Sequence, residues 1–171
     1  SLQCDIKNFR NYKGVEEPDI TETEIQGHLD KKHLAAFSSP EELREFVGGE
    51  PILSKLGLIT KVRNGVSKSR MLLDTKESWV KHATLKAHRV MLPRLFDAVL
   101  RLLALMAITF QLGLPPNVES FVLDFTDAFW QIPLLPSEYR FYCATAQLNG
   151  LRTYIAFLRA AQGSTNGPTL W

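Results

Sequence analysis

Cysteine is scarce in this 171-residue chain, with only Cys4 and Cys143, far apart and in no spacing pattern. Neither a disulfide framework nor a cysteine-based zinc site is therefore expected. Long apolar runs are also missing. The most apolar stretch, Leu102 to Phe110, is followed by Gln111, Gly113, Pro115 and Pro116 and is too short to span a bilayer. No basic-then-apolar leader opens the chain, so the expectation is no signal peptide, no membrane partner and an intracellular location, cytoplasmic or nuclear. Internal repeats and low-complexity segments are absent. With 45% hydrophobic and 22% charged residues, the composition is that of a folded globular protein and excludes a disordered one. The chain starts on Ser1 and stops on Trp171 in mid-pattern, so both ends read as cut.

A large overall charge is lacking too, since the net is only +2, but the distribution is uneven. Residues 1–50 carry 6 Lys/Arg against 11 Asp/Glu, residues 51–101 carry 11 against 3, and residues 102–171 carry 3 against 4. A basic middle between two mildly acidic parts fits a surface that meets a polyanion. From charge alone, lysines that solubilise exposed loops are the simpler reading.

Residues 1–20 have no clear period and read as an extended arm. Thr21 to Glu24 fits a capping box, with a helix from about Glu22 to Lys32 that turns Ile25 and Leu29 inward. Ser39-Pro40-Glu41-Glu42 is a second helix start, and Gly48-Gly49 ends that helix. Leu56 to Val62 and Arg70 to Asp74 are β-compatible runs, and Asn64-Gly65 between them is a hairpin signal. Leu92 to Leu112 reads as a long buried helix begun at Pro93, with Leu95, Val99, Leu102, Leu103 and Met106 facing the core. Phe121 to Leu123 reads as a strand running into Asp124. Arg140 to Gln147 and Leu151 to Leu158 read as a strand pair turned at Asn149-Gly150. Helices mixed with hairpins predict an α+β fold with a largely antiparallel sheet. Residues 1–50 form an acidic helical segment in this reading, and residues 51–171 form the second part.

The chemistry-bearing segment is Phe121-Val-Leu-Asp-Phe-Thr-Asp-Ala-Phe-Trp-Gln-Ile-Pro-Leu134. A strand that ends in Asp124, with Asp127 three residues later, sets two carboxylates where burial without a counter-charge is costly. A divalent cation such as Mg²⁺ would supply that charge. Alternatively, Asp124 is a strand-end turn former and Asp127 a helix cap. Two further segments stand in order around it: Lys61 to Lys76, with Arg63, Arg70, Asp74 and Lys76, and Gln162-Gly-Ser-Thr-Asn-Gly-Pro168.

Together these three segments resemble the reverse transcriptases of retroviruses and retrotransposons. The central one matches the palm pattern V-L-D-x-x-D-A-[YF]-[FW]-x-[VI]-P-L. The upstream one matches the fingers hairpin, with Lys76 where Arg is common and Glu77-Ser78-Trp79 where Leu-Asn usually follows. The downstream one matches the Gln-Gly loop. Leu92-Pro-Arg-Leu-Phe-Asp97 resembles a helix start of retrotransposon enzymes, and Glu138 to Phe141 resembles the segment after the palm aspartate. The likeness covers about residues 51–171, and three motifs in one order are more specific than any alone.

The resemblance implies the fingers and first part of the palm of a right-hand polymerase, an RNA-directed DNA polymerase that acts by two-Mg²⁺ nucleotidyl transfer. By that likeness Asp124 is the catalytic metal ligand, joined by the backbone carbonyl of Phe125. Arg63 and Arg70 neutralise the triphosphate, with planar donors that Lys lacks. Asp127 and Ala128 offer backbone amides to the nucleotide, Phe129 stacks beneath its sugar, and Gln162 and Gly163 frame the nascent pair. Core packing is the alternative role for Phe129. The implied partners are an RNA or DNA template with primer and deoxynucleoside triphosphates. The family's Tyr-x-Asp-Asp turn is not reached before Trp171, so the 171-residue chain by itself is expected to be inactive. The alternatives are a non-catalytic retroelement remnant that at most binds nucleic acid and, more remotely, a carboxylate-metal nuclease using Asp124, Asp127 and Glu138.

Other candidates carry less. His28 and His33 are five apart, a poor spacing for a shared metal on one helix. His82 and His88 lie in the basic stretch as solvated residues or phosphate neighbours. Ser164 has no His/Asp partners in sequence. Trp79 and Trp130 offer either base stacking or burial.

Overall fold

Pro18, whose fixed φ suits a first helical turn, opens helix α1 (Pro18–Asp30) in the computed structural model of the chain. The structure describes residues 9–15, 18–84, 94–115, 117–119 and 127–163. Strand β1 (Leu34–Phe37) and helix α2 (Pro40–Val47) follow, then strands β2 (Lys55–Arg63) and β3 (Val66–Asp74) and the short helix α3 (Val80–Ala83). Helix α4 (Leu95–Gln111) and strands β4 (Cys143–Leu148) and β5 (Leu151–Phe157) complete the order. The architecture is α+β with small antiparallel sheets: three strands in the order β1-β5-β4, and the two-stranded hairpin β2-β3. The chain divides into two units, residues 1–87 with 127–171, and residues 88–126.

In the first unit the three-stranded sheet is covered on both faces. Ala144, Ala146, Ile155 and Phe157 belong to one apolar cluster, with Ile25 of α1 and Leu56 and Leu73 of the hairpin. Cys143, Tyr154 and Ala156, the alternate positions, join Leu43 and Val47 of α2 in a second cluster. Side chains alternate across a strand, so a sheet covered on both sides reads as a continuous apolar or small-residue run rather than an alternating one. The thiol of Cys143 is buried there and donates to the carbonyl of Tyr139 at 3.2 Å.

Several sequence expectations are met and others are corrected. Ser39 caps α2, its hydroxyl accepting from the Glu42 N–H at 3.2 Å, and Gly48 stops it in the left-handed region. Both hairpin turns, Asn64-Gly65 and Asn149-Gly150, have positive φ at both residues, as two-residue turns require. The capping box at Thr21 is overturned: α1 begins three residues earlier, and the buried Thr21 hydroxyl donates to the Val15 carbonyl. The strand expected from Arg140 begins only at Cys143. Residues Pro136–Phe141 instead form a 3₁₀ turn, because Pro136 opens it and the Glu138 carboxylate accepts from the Leu135 N–H. Strand β1 carries no alternation and was not expected; pairing with β5 creates it. The segment Phe121–Asp124 lies outside the described residues.

In the second unit α4 is closed by Asp97, whose carboxylate accepts from the Arg94 N–H, and by a left-handed Gly113. Within that unit it buries none of its residues, so the burial expected for Leu95, Val99, Leu102, Leu103 and Met106 is not achieved there. Its sequence is apolar on most sides rather than in one stripe.

Three helices end in the same way. The N–H that follows the left-handed residue bonds back to a carbonyl of the last turn: Gly49 to Arg44, Leu114 to Thr109, and His33 to His28. At the first two ends glycine occupies the left-handed position, but in α1 it is Lys32, with φ 56°. An L side chain there costs about 1 kcal/mol. Lys32→Gly is expected to raise stability by roughly that amount, measured as an increase in the urea midpoint with unchanged m. A lower midpoint would contradict this account of the helix end.

Candidate nucleic-acid interface

The two-residue turn at Asn64-Gly65 fixes the register of β2 and β3: Arg63 faces Val66, Lys61 faces Lys68, and Ile59 faces Arg70. Residues directly opposite share a face, and so do residues two apart along a strand. Lys61, Arg63, Lys68 and Arg70 therefore stand on one face of the hairpin, all exposed. Lys61 and Lys68 are directly opposed, an arrangement that like charges disfavour unless an anion lies across them. The other face carries Thr60 and Ser69, bonded hydroxyl to hydroxyl at 3.0 Å, and runs into buried Met71, Leu56 and Leu73. Among the described residues none of the four cations is in an ion pair. Lys68 is felt by Glu24 of α1: burial and Asp127 push that carboxyl up, while Lys31 and Lys68 pull it back.

Gln162 and Gly163 meet the base of this hairpin. The Leu73 N–H donates to the Gln162 carbonyl at 3.0 Å, and Leu72 and Gln162 form a parallel bridge. Gly163 has φ 99°, and a Cβ there would stand 2.5 Å from the Leu73 carbonyl oxygen. Only glycine permits that approach. Two of the three sequence segments are thus joined through backbone.

The third is only partly described. Asp124 and Phe125, the residues that the resemblance gives to metal, lie outside the described residues, so their fit to Mg²⁺ is not assigned. Asp127 has φ 54° and begins the 3₁₀ turn Ala128–Gln131, in which Ala128 and Phe129 are half-buried. Its carboxylate accepts from Lys31 Nζ at 3.0 Å, and that bond holds its pKa below the usual value. Lys31, and not Arg63 or Arg70, is the cation on this carboxylate. Glu138 is bonded to the Leu135 N–H. Among the described residues no group of three or more His, Cys, Asp or Glu is placed to hold a metal ion. No helix among them is long and apolar enough to cross a membrane.

Beside Asp127 lies a cluster that the spacing of its histidines concealed. Because α1 ends at Asp30 and the chain reverses at Lys32, His33 returns to His28, with the two Nδ1 atoms 3.1 Å apart. The pair shares one hydrogen bond, and the His28 ring stacks on Trp130 at 3.9 Å. Trp130 is only 4% exposed, which resolves its role as burial. His28 is brought down to about 4 by burial first and then by the charges of His33 and Lys31, against an opposing Asp127. His33 is lowered by burial and Lys31 as well.

No protein-family model matches the chain, and no curated protein matches it.

Two outcomes follow. The folded His28 takes up its proton well below the unfolded value of 6.5, so the unfolded chain binds protons first on acidification. The contribution of neutral His28 to stability is complete above pH 6.5 and is lost as pH drops towards about 4. Urea titrations across this window should show that loss in the parent chain and a flatter profile in His28→Gln. Gly163→Ala should cost roughly 1–3 kcal/mol, because its Cβ meets backbone; an unchanged urea midpoint would refute the close approach to Leu73.

Proposed function

We propose that the chain is part of a reverse transcriptase, contributing fingers and the first part of the palm, and that the β2–β3 hairpin holds nucleic-acid or nucleotide phosphate. The observation that carries this reading is the single hairpin face bearing Lys61, Arg63, Lys68 and Arg70. Backbone contact between β3 and Gln162 supports it, because two segments that match the family in order are neighbours in space.

The division of labour follows from side-chain chemistry. Arg63 and Arg70 each offer a planar fork that binds phosphate in bidentate fashion, whereas Lys61 and Lys68 act as point charges. Successive same-face positions are roughly 7 Å apart along a strand, so the cations form a track rather than a single pocket. Gln162 and Gly163 sit at the foot of that track, near the position at which the incoming nucleotide would be framed. In this reading Mg²⁺, held by Asp124 with the Phe125 carbonyl, supplies charge neutralisation for nucleotidyl transfer, and the hairpin's own contribution is binding and orientation. A primed RNA or DNA template and deoxynucleoside triphosphates are the corresponding partners.

Strand binding without catalysis is the second reading, and the same cationic face supports it. The nuclease reading is disfavoured by the engagement of Asp127 with Lys31 and of Glu138 with the Leu135 amide.

Binding of a primer–template or single strand should weaken steeply with salt. Removing one phosphate-binding cation should reduce the log–log slope by roughly 0.7 to 0.9. Arg63→Ala with Arg70→Ala is expected to flatten the slope by about twice that amount, as read by fluorescence anisotropy across a salt series. A slope that does not move would remove the hairpin from the interface.

A further inference from the structure

Trp79 stands at the foot of the cationic face, and its surroundings point to a ligand. Of the two tryptophans among the described residues, Trp130 is buried, whereas Trp79 is 49% exposed. The chain holds Trp79 out by force of its backbone. Its φ is 65°, a region that bulky side chains avoid. The turn that imposes this is pinned from below: the buried hydroxyls of Ser54 and Ser78 bond at 2.7 Å, Ser78 also donates to the Thr75 carbonyl, and the Lys81 N–H donates to Thr75 as well. Backbone strain of this kind persists where the surroundings over-determine it, commonly at binding sites.

Trp79 forms one wall of an open cleft of about 600 Å³ with Tyr12, Asp74, Lys76, Glu77 and His82. That volume lies in the range of small-ligand sites. The His82 ring is 5.0 Å from the indole, which widens the aromatic surface. The charges in and around the cleft balance, with Asp74 and Glu77 against Lys55 and Lys76. Asp74 accepts from the Tyr12 hydroxyl at 2.5 Å and from the Lys76 N–H at 2.8 Å, and Glu77 is paired with Lys55 at 2.5 Å. The Tyr12 pKa is raised to about 12, chiefly by the hydrogen bond in which its hydroxyl gives its proton to Asp74. A cleft so balanced suits a neutral, planar, hydrogen-bonding group better than a phosphate.

Its position identifies the group. Lys55 and Asp74 are opposite each other and share the face that carries Arg70, Lys61, Lys68 and Arg63 farther out. The Tyr12 ring lies against Gly57 on that face, 3.5 Å from where a Cβ would be, so the missing side chain makes room for it. A strand whose phosphates follow the cations toward the base of the hairpin arrives at this cleft. We infer that the cleft takes an unpaired base of that strand, stacked on Trp79, while the hairpin cations hold the phosphates. This rests on the phosphate-binding reading of the hairpin and adds the base to it.

The test compares a labelled single strand of thymidylates with an abasic strand of the same length and charge, each bound to the full chain. Stacking of one base should favour the thymidylate strand by roughly tenfold. Trp79→Ala should abolish that preference and leave the salt slope unchanged, while Trp79→Phe should keep most of it and report that the fold tolerates substitution. Equal binding of both strands by the parent chain, or an undiminished preference in Trp79→Ala, overturns the stacking site. In either case a persistent salt slope that depends on Arg63 and Arg70 leaves the hairpin reading intact. Loss of all salt-dependent binding overturns both. Displacement of the thymidylate strand by free guanidinium at low concentration, with no effect on the abasic strand, would instead make the cleft a cation site and overturn the base assignment.

Discussion

The opposed pair Leu56 and Leu73 is the constraint on which the first unit depends. Both side chains are fully buried, and their outward-facing backbone groups are taken by two distant segments. The Leu56 N–H donates to the Asn11 side chain, the Leu56 carbonyl accepts from the Tyr12 N–H, and the Leu73 N–H donates to Gln162. Asn11 in turn donates to the Thr145 carbonyl in β4, so one amide side chain ties the hairpin to the three-stranded sheet. A buried amide left without any of these partners would cost about 1–3 kcal/mol. The arm, the hairpin and the Gln162 segment are therefore not independent, and each supplies a bond that another lacks.

This anchoring explains how a hairpin with so much charge at its outer end remains ordered. The base contributes apolar burial, with fully buried Leu56 and Leu73 and nearly buried Met71, while the outer rungs leave water to solvate the lysines and arginines. The opposed Lys61 and Lys68 are thus supported by burial several rungs away rather than by local pairing. The same division appears at the foot of the hairpin, where the buried Ser54–Ser78 pair and the Thr75 carbonyl fix the turn from which Trp79 projects.

The histidine cluster shows a different use of burial. His28 lies in the apolar stripe of α1 with Thr21 and Ile25, and it stacks on Trp130 as a neutral ring. Its partner His33 reaches it only because the helix stops and the chain turns back at Lys32. Asp127, a residue of the palm-like segment, is held over this same region by Lys31. The acidic N-terminal part of the chain therefore bears directly on where Asp127 and Trp130 stand, through one exposed ion pair and one buried aromatic stack.

Local sequence determined the elements whose causes are local. Ser39, Pro40 and Gly48 mark both ends of α2, and the two Asn-Gly turns set both hairpins, since capping and positive φ act over a few residues. The turn at Asn64-Gly65 even determines which residues oppose each other, so the cationic face was legible in principle from parity alone. What only the tertiary structure decided needed contacts between distant residues. Strand β1 exists because β5 offers it an edge, and Thr21 is buried inside α1 rather than capping it because its hydroxyl meets the Val15 carbonyl. His28 and His33 meet because a helix end, not helical spacing, governs their separation. Trp130 is buried and Trp79 exposed although the sequence treats them alike, because one faces the apolar cluster beneath the sheet and the other is turned outward by a left-handed backbone.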